Sequence, residues 1–242
     1  MKKSVLLAAA GLVAGAALFN DARADERAWS WSPVGIGIAA PAQLPFMSTD
    51  VYGVRFGGLF GYNPKVYGLD VGVANVVADE FIGIGVGAFG YVGDGGSCAL
   101  RVSAIANVTT GVSFDLSVAP FNVQKDDAYG IDVGVLNWSQ TYAGIRFAGL
   151  MNWTVGTACG FEVAPINAGC DDFTGFQIGA LNFTDRMTGC QIGCVNLADG
   201  AATGVQIGII NAAENMTGVQ IGAINIITKS PLPIMVIANA HF

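Results

Sequence analysis

Hydrophobic and polar residues alternate along most of this chain in short segments that are separated by turn-forming residues. In one segment Val205, Ile207 and Ile209 alternate with glycine and Gln206. A period of two places the apolar side chains on one face of a strand and the others on the opposite face. Turn chemistry such as Asp199-Gly200 follows these segments, and no helical periodicity is present after residue 24. The pattern predicts an all-β protein.

The strand-and-turn unit is repeated. Each copy begins with a Thr-Gly pair, continues with an apolar or Cys residue and then Gln-Ile-Gly, and closes on Asn. Decayed copies extend back to about Gly53, and no linker or change in composition divides the chain. We therefore predict one repeat domain over residues 25–242. The clearest copies start at Thr174-Gly175, Thr188-Gly189, Thr203-Gly204 and Thr217-Gly218.

One polar residue stands at the centre of the glycine-bearing face of most repeats. If consecutive strands are neighbours, Arg55 faces Asp70, and Arg146 lies between Asp132 and Glu162, so that opposite charges meet. We predict that this row lines the lumen or inner face and has a structural role. Its members are Arg55, Asp70, Arg101, Asp132, Arg146, Glu162, Gln177, Gln191, Gln206 and Gln220.

The N-terminus has the pattern of a secretory signal peptide. Lys2 and Lys3 precede an apolar run over residues 4–19, and Ala22-Arg23-Ala24 supplies the small residues of a cleavage site. We expect residues 1–24 to be removed, which changes the net charge from −7 to −9. This acidity disfavours nucleic acid as a partner.

Residues with catalytic or metal-binding chemistry are scarce. The single histidine, His241, is the penultimate residue, so no Ser/His/Asp or Cys/His arrangement is expected. The glycine pattern of residues 85–90 matches a dinucleotide fingerprint, but no helix is predicted after it. Five cysteines leave at least one thiol without a partner in the chain. We expect no enzyme activity, no catalytic residues, no cofactor and no metal site.

The repeats resemble the bacterial surface-repeat family of short Gly-x-Gln-Ile-Gly-x-x-Asn repeats that was first catalogued in leptospires. The segment Val66-Tyr67-Gly68-Leu69-Asp70-Val71-Gly72 and the ending from Pro231 to Phe242 add to the resemblance. It implies an exported protein of the Gram-negative cell envelope, at the outer membrane or cell surface, whose molecular function is not established.

Two architectures accommodate a strand and a turn in each repeat. We favour a transmembrane β-barrel of about 14 antiparallel strands, in which roughly ten residues of each repeat cross the membrane. Its partners would be the lipid bilayer of the outer membrane and the outer-membrane assembly machinery, with Phe242 as the assembly signal. Tyr52, Tyr129 and Trp138 fall at strand ends, as interfacial aromatic girdles do. A barrel suggests a structural, interaction or passive-pore role.

The alternative is a β-solenoid with one repeat per coil, which would be a secreted or surface-attached binding module. The asparagine that closes nearly every repeat favours this alternative. Stacked coils would join these side chains into one hydrogen-bonded ladder, whereas antiparallel strands would send them to opposite rims.

Overall fold

The computed structural model describes residues 31–39 and 42–241, so the predicted signal peptide and Phe242 lie outside the described residues. All regular elements of the described part are strands, joined by short turns. Among these residues no helix has the length and apolarity needed to cross a membrane. The strands are β1 (Trp31–Ala39), β2 (Ala42–Leu44), β3 (Asp50–Val92), β4 (Gly96–Thr109), β5 (Ser113–Val118), β6 (Phe121–Thr154), β7 (Thr157–Val163), β8 (Ile166–Ile178), β9 (Leu181–Ile192), β10 (Val195–Ile227) and β11 (Ile234–His241).

The chain winds into a β-solenoid of about 12 turns. Equivalent residues of successive repeats pair in parallel, as Asn167 does with Asn182, and Asn182 with Asn196. One repeat therefore forms one coil, which we call a rung, and equivalent side chains recur after 14, 15 or 16 residues. The antiparallel barrel was the wrong architecture and the solenoid alternative is the observed one. The physical reason is the ladder, because only parallel, in-register stacking places each asparagine beside its counterpart.

The strand direction reverses at both ends of the described solenoid. Strand β2 pairs antiparallel with β1, and β11 pairs antiparallel with the last rung, where Gln220 lies opposite Asn239. Both terminal strands carry exposed apolar side chains, among them Leu44 and Ile237.

The interior of the solenoid is part apolar and part polar. One apolar cluster fills the C-terminal half and includes Phe173, Met187 and Met216, and a smaller one at the N-terminal end includes Val51 and Phe81. The remaining inward positions carry amides, hydroxyls and charged groups. Because the polar side chains point inwards, the alternating Val and Ile residues of the repeat face outwards.

Glycine is required at the first position of the rung. Gly218 has a φ of 137°, and a Cβ atom there would lie 2.0 Å from the carbonyl oxygen of Gly204 in the preceding rung. An L-residue would meet both an unfavourable backbone conformation and a backbone clash. The glycine of each Thr-Gly pair thus permits the close approach of successive rungs.

Candidate functional site

The structure buries the entire predicted polar row inside the solenoid, with each residue at most 3% exposed. Two oppositely charged pairs bridge successive rungs within it. Arg55 donates from Nε and Nη2 to the two carboxylate oxygens of Asp70, at 2.7 and 2.6 Å. Arg146 donates to Glu162 in the next rung. Bidentate and fully enclosed pairing satisfies charges that would otherwise be costly to bury.

Among the described residues, none forms an ion pair with Asp132 within 4.0 Å. Arg146, which occupies the next rung, directs its guanidinium to Glu162, Ser139 and Thr154 instead. Within the described part of the chain, the one side-chain hydrogen bond of Asp132 comes from Gln124 Nε2, at 3.2 Å. Burial raises the pKa of Asp132 to about 7, against the lowering effect of the Arg146 charge.

A fourth buried carboxylate, Asp115, was missed by the sequence analysis. It pairs in register with Ala99 and Gly130, at the position where other rungs carry glycine. Its Oδ2 atom lies 3.0 Å from Arg101 Nε, in an ion pair that lacks hydrogen-bond geometry, and it accepts a 2.6 Å hydrogen bond from Ser97. The predicted polar row has no member in this rung because Ser117 occupies its central position. Asp115 lies two residues before that centre, in register with Gly130 rather than with Asp132.

Glutamines continue the polar row through the C-terminal half. Gln191 donates to Gln177 at 2.9 Å, Gln206 donates to Gln191 at 2.8 Å, and Gln220 donates to Gln206 at 2.8 Å. Each side chain donates from its amide nitrogen to the preceding rung, and the oxygens of Gln177, Gln191 and Gln206 accept from the following one. The ladder is therefore directional and leaves no charge in this half of the interior.

A second ladder consists of asparagines, and each one donates to the next at 2.8 to 3.3 Å. Most also donate to a backbone carbonyl, as Asn196 does to Ile207 at 2.9 Å. These bonds satisfy backbone groups at the corner where the strand turns. The members are Asn107, Asn122, Asn137, Asn152, Asn167, Asn182, Asn196, Asn211 and Asn225.

One rung has glycine at both of these inward positions, because Gly85 is in register with Arg101 of the polar row and Gly90 with Asn107 of the asparagine ladder. A cavity of about 20 Å³ lies there, lined by Asp70, Arg101 and Asn107 among others. This volume suits a single water molecule. It is too small for a substrate or a cofactor.

Within residues 31–39 and 42–241, no group of three His, Cys, Asp or Glu side chains is placed to hold a metal ion. All five cysteines are free thiols. Cys170 is buried, whereas Cys98, Cys159 and Cys194 are exposed. The chemistry-bearing groups of the described chain are thus either enclosed or scattered.

The surface charges lie along a single edge of the solenoid, which we call the charged edge. Its residues occupy the turn that precedes the Thr-Gly position of each rung, and some pair between rungs, as Lys229 does with Glu214 at 2.7 Å. In the described part of the chain every charged residue belongs either to this edge or to the interior. The edge comprises Asp50, Lys65, Asp79, Glu80, Asp94, Lys125, Asp126, Asp127, Asp171, Asp172, Asp185, Arg186, Asp199, Glu214 and Lys229.

Next to this edge lies a flat outer surface with three parallel rows of side chains, which we call the uncharged face. Between residues 82 and 207 the rows contain only apolar, Tyr, Thr and Cys residues. Large side chains here are widely exposed, for example Phe176 at 54%. The rows are Ile82, Cys98, Phe114, Tyr129, Ala143, Cys159, Thr174, Thr188 and Thr203; Ile84, Leu100, Leu116, Ile131, Ile145, Phe161, Phe176, Cys190 and Val205; and Val86, Val102, Val118, Val133, Phe147, Val163, Ile178, Ile192 and Ile207.

The chain matches no protein-family model, no curated protein and no solved structure. Membership of the surface-repeat family therefore stays a prediction that rests on the repeat motif. The geometry of the rungs carries the functional argument.

Proposed function

We propose that this chain is a non-catalytic binding module that engages an apolar partner along its uncharged face. The observation that carries the proposal is the continuity of this face. Single exposed apolar residues are ordinary on protein surfaces, but a contiguous apolar surface along many rungs is typical of an interaction site. The solenoid supplies a rigid support, since every rung is hydrogen-bonded to its neighbours.

A non-catalytic role is supported by the burial of the charged groups in the interior. The carboxylates and guanidinium groups of the interior are closed to substrates, and Asp70, Asp115 and Glu162 lie in ion pairs with arginines. The interior is filled by side chains from successive rungs. We therefore do not propose the passive-pore role that was expected of a barrel. Placement at the cell surface or outer membrane belongs to the proposal and rests on the signal-peptide pattern and the family resemblance.

The proposal is tested by placing charge on the uncharged face. Ile131→Lys and Ile207→Lys each put an ammonium group on an exposed position of that face. We expect both changes to release the tagged protein from the envelope fraction of the cells that produce it into the soluble fraction. Secretion and thermal stability are measured in parallel, to separate lost binding from lost folding.

Matched controls lie in the same rungs. Gln140→Lys and Asn215→Lys add the same charge to exposed positions in the turn that forms the charged edge. These variants are expected to stay with the envelope. Equal retention of all four variants would show that the uncharged face does not bind.

A further inference from the structure

We infer that the partner of the uncharged face is the acyl region of a phospholipid membrane, on which the solenoid lies lengthwise with its charged edge towards water. The inference rests on the proposed function and specifies its partner. It differs from the barrel, because the chain enters one leaflet from the side and does not cross the membrane.

Charged and apolar side chains occupy separate sides of the outer surface of the solenoid. The apolar character of the outside continues beyond the uncharged face, around the narrow edge opposite the charges. Leu59, Ile105 and Ile209 on this edge are 65%, 56% and 59% exposed. Amphipathic elements that lie in a membrane interface have this division into a charged side and an apolar side.

Tyr and Trp residues lie beside the charged edge of the solenoid. Tyr129 lies on the uncharged face two residues after Asp127. Tyr67 continues the first row of this face by one rung before Ile82, two residues after Lys65, and it donates a hydrogen bond to Glu80 of the charged edge. On the opposite sheet, Trp138 lies two residues before the turn that forms this edge. Tyr and Trp side chains prefer the headgroup level, with their rings in the apolar phase and their polar atoms near water. Aromatic residues therefore flank the charged edge on both sheets.

The apolar surface is deep enough to fill one leaflet of a membrane. From Tyr129 to Val135 the strand spans six residues, or about 20 Å at ~3.3 Å per residue. The hydrocarbon of one leaflet is about 15 Å thick, half of the ~30 Å core. With Tyr129 at the headgroups, the aliphatic side chains as far as Val135 reach the depth of one leaflet.

A second copy of the chain is the alternative occupant, but it would cover too little of the exposed apolar surface. A dimer that pairs two uncharged faces would hide one sheet of each copy. The apolar edge with Leu150 and Ile209, and the opposite sheet with Trp153 at 42% exposure, would stay in water. Lipid covers all three surfaces at once.

The amide ladders and two buried ion pairs of the interior suit such a site. A low-dielectric environment demands that polar groups be satisfied within the protein. The glutamine and asparagine ladders bond side chain to side chain between rungs, and Arg55 and Arg146 each contact a carboxylate.

The test is flotation of the purified protein, as the cell processes it, with phosphatidylcholine vesicles. We expect wild-type protein, Gln140→Lys and Asn215→Lys to float with the vesicles. The double variant Ile131→Lys/Ile207→Lys is expected to lose at least tenfold in bound fraction. Because the exposed edge is mainly acidic and faces water, vesicles with added phosphatidylglycerol should bind no more strongly than pure phosphatidylcholine.

Orientation is read from a polarity-sensitive dye on single cysteines in a background without the native ones. Ile209→Cys lies on the apolar edge and Asn215→Cys lies in the charged-edge turn of the same rung. Vesicles should shift the dye emission to the blue at residue 209 and leave it unchanged at residue 215.

Three outcomes would overturn the inference. One is wild-type protein that stays unbound at millimolar lipid, and another is an equal dye shift at both cysteines. The third is a lipid-independent dimer that does not float and that Ile131→Lys/Ile207→Lys dissociates, which would identify a second copy as the occupant. If the envelope association responds to Ile131→Lys while vesicles do not bind, the proposed binding function stands and its partner is a protein.

Discussion

Asn211 donates a 2.8 Å hydrogen bond from its side-chain nitrogen to the side-chain oxygen of Asn225, which occupies the same position one rung later. Both residues are fully buried. Equivalent atoms of adjacent strands lie about 4.8 Å apart, which is the spacing that such amide ladders require. This contact decides between the two architectures, since antiparallel neighbours would separate the two side chains.

The register between successive rungs can be tested at an exposed pair of residues with one introduced cysteine. Cys159 and Thr174 are paired in adjacent rungs and both are exposed. Their Cα atoms are expected about 4.8 Å apart, within the ~4.4–6.8 Å range for a disulfide. With the other native cysteines replaced by serine, Thr174→Cys should form an intramolecular disulfide under mild oxidation, detected as a loss of two free thiols in the intact mass.

Thr188→Cys is the control for this experiment. Thr188 lies one rung beyond Thr174, so its distance to Cys159 is about twice as large and no bond should form. Cross-linking at both positions with equal yield would contradict the register.

The ion pair between Arg146 and Glu162 interrupts what would otherwise be a longer amide ladder. Either single change, Arg146→Gln or Glu162→Gln, leaves a buried charge without its partner, which typically costs about 3–5 kcal/mol. The double variant extends the directional glutamine ladder from Gln177 by two rungs. We expect its loss in unfolding free energy to be much smaller than the sum of the two single losses. Urea unfolding of all four proteins measures this coupling, and simple additivity would refute it.

Much of the rung could be read from the sequence. The alternation at Val205 and Ile207, the repeat of Thr-Gly pairs and the recurrent asparagines identified the all-β class, the repeat unit and the polar row. Arg55 and Asp70 were expected to face each other because their repeats are consecutive, and they do lie in contact. Local periodicity is sufficient for such inferences, because stacked repeats place equivalent residues side by side.

The direction of pairing could not be read in the same way. A period of two assigns residues to faces equally well in parallel and antiparallel sheets, and only the asparagine ladder distinguished them.

The predicted position of Arg146 between two carboxylates was half right. Arg146 donates to Glu162, whereas Asp132 accepts a hydrogen bond from Gln124 instead. Side-chain direction within a crowded interior depends on neighbours such as Ser139 and Thr154, which the repeat pattern does not single out.

The first glycine of the rung should be intolerant of substitution. At Gly160, φ is 130° and a Cβ atom would lie 2.0 Å from the carbonyl oxygen of Gly144. Gly160→Ala should therefore cost about 3 kcal/mol or more, from backbone strain and from separation of the rungs. In Gly149→Ala the nearest atoms to the new Cβ are 3.9 Å away, so that control should change stability little. Equal midpoints in urea for the two variants would show that the close approach is not required.

Asp132 should make the stability of the fold depend on pH. Its pKa is about 7 in the folded protein because of burial, whereas a carboxyl in the unfolded chain has a pKa of about 3.9. Between these values the folded state keeps a proton that the unfolded state has lost, so stability falls as pH rises from about 4 to about 7 and then levels off. The total loss is on the order of a few kcal/mol.

Asp132→Asn removes this titration while keeping an oxygen that can accept the hydrogen bond from Gln124. The variant should match the wild type in urea stability near pH 4 and exceed it by a growing margin up to about pH 7.5. Asp171→Asn, at the charged edge, is the control for loss of a surface carboxylate and should follow the wild-type curve. A constant difference between Asp132→Asn and the wild type across this range would mean that Asp132 is ionised throughout, with a partner that the present geometry does not give it.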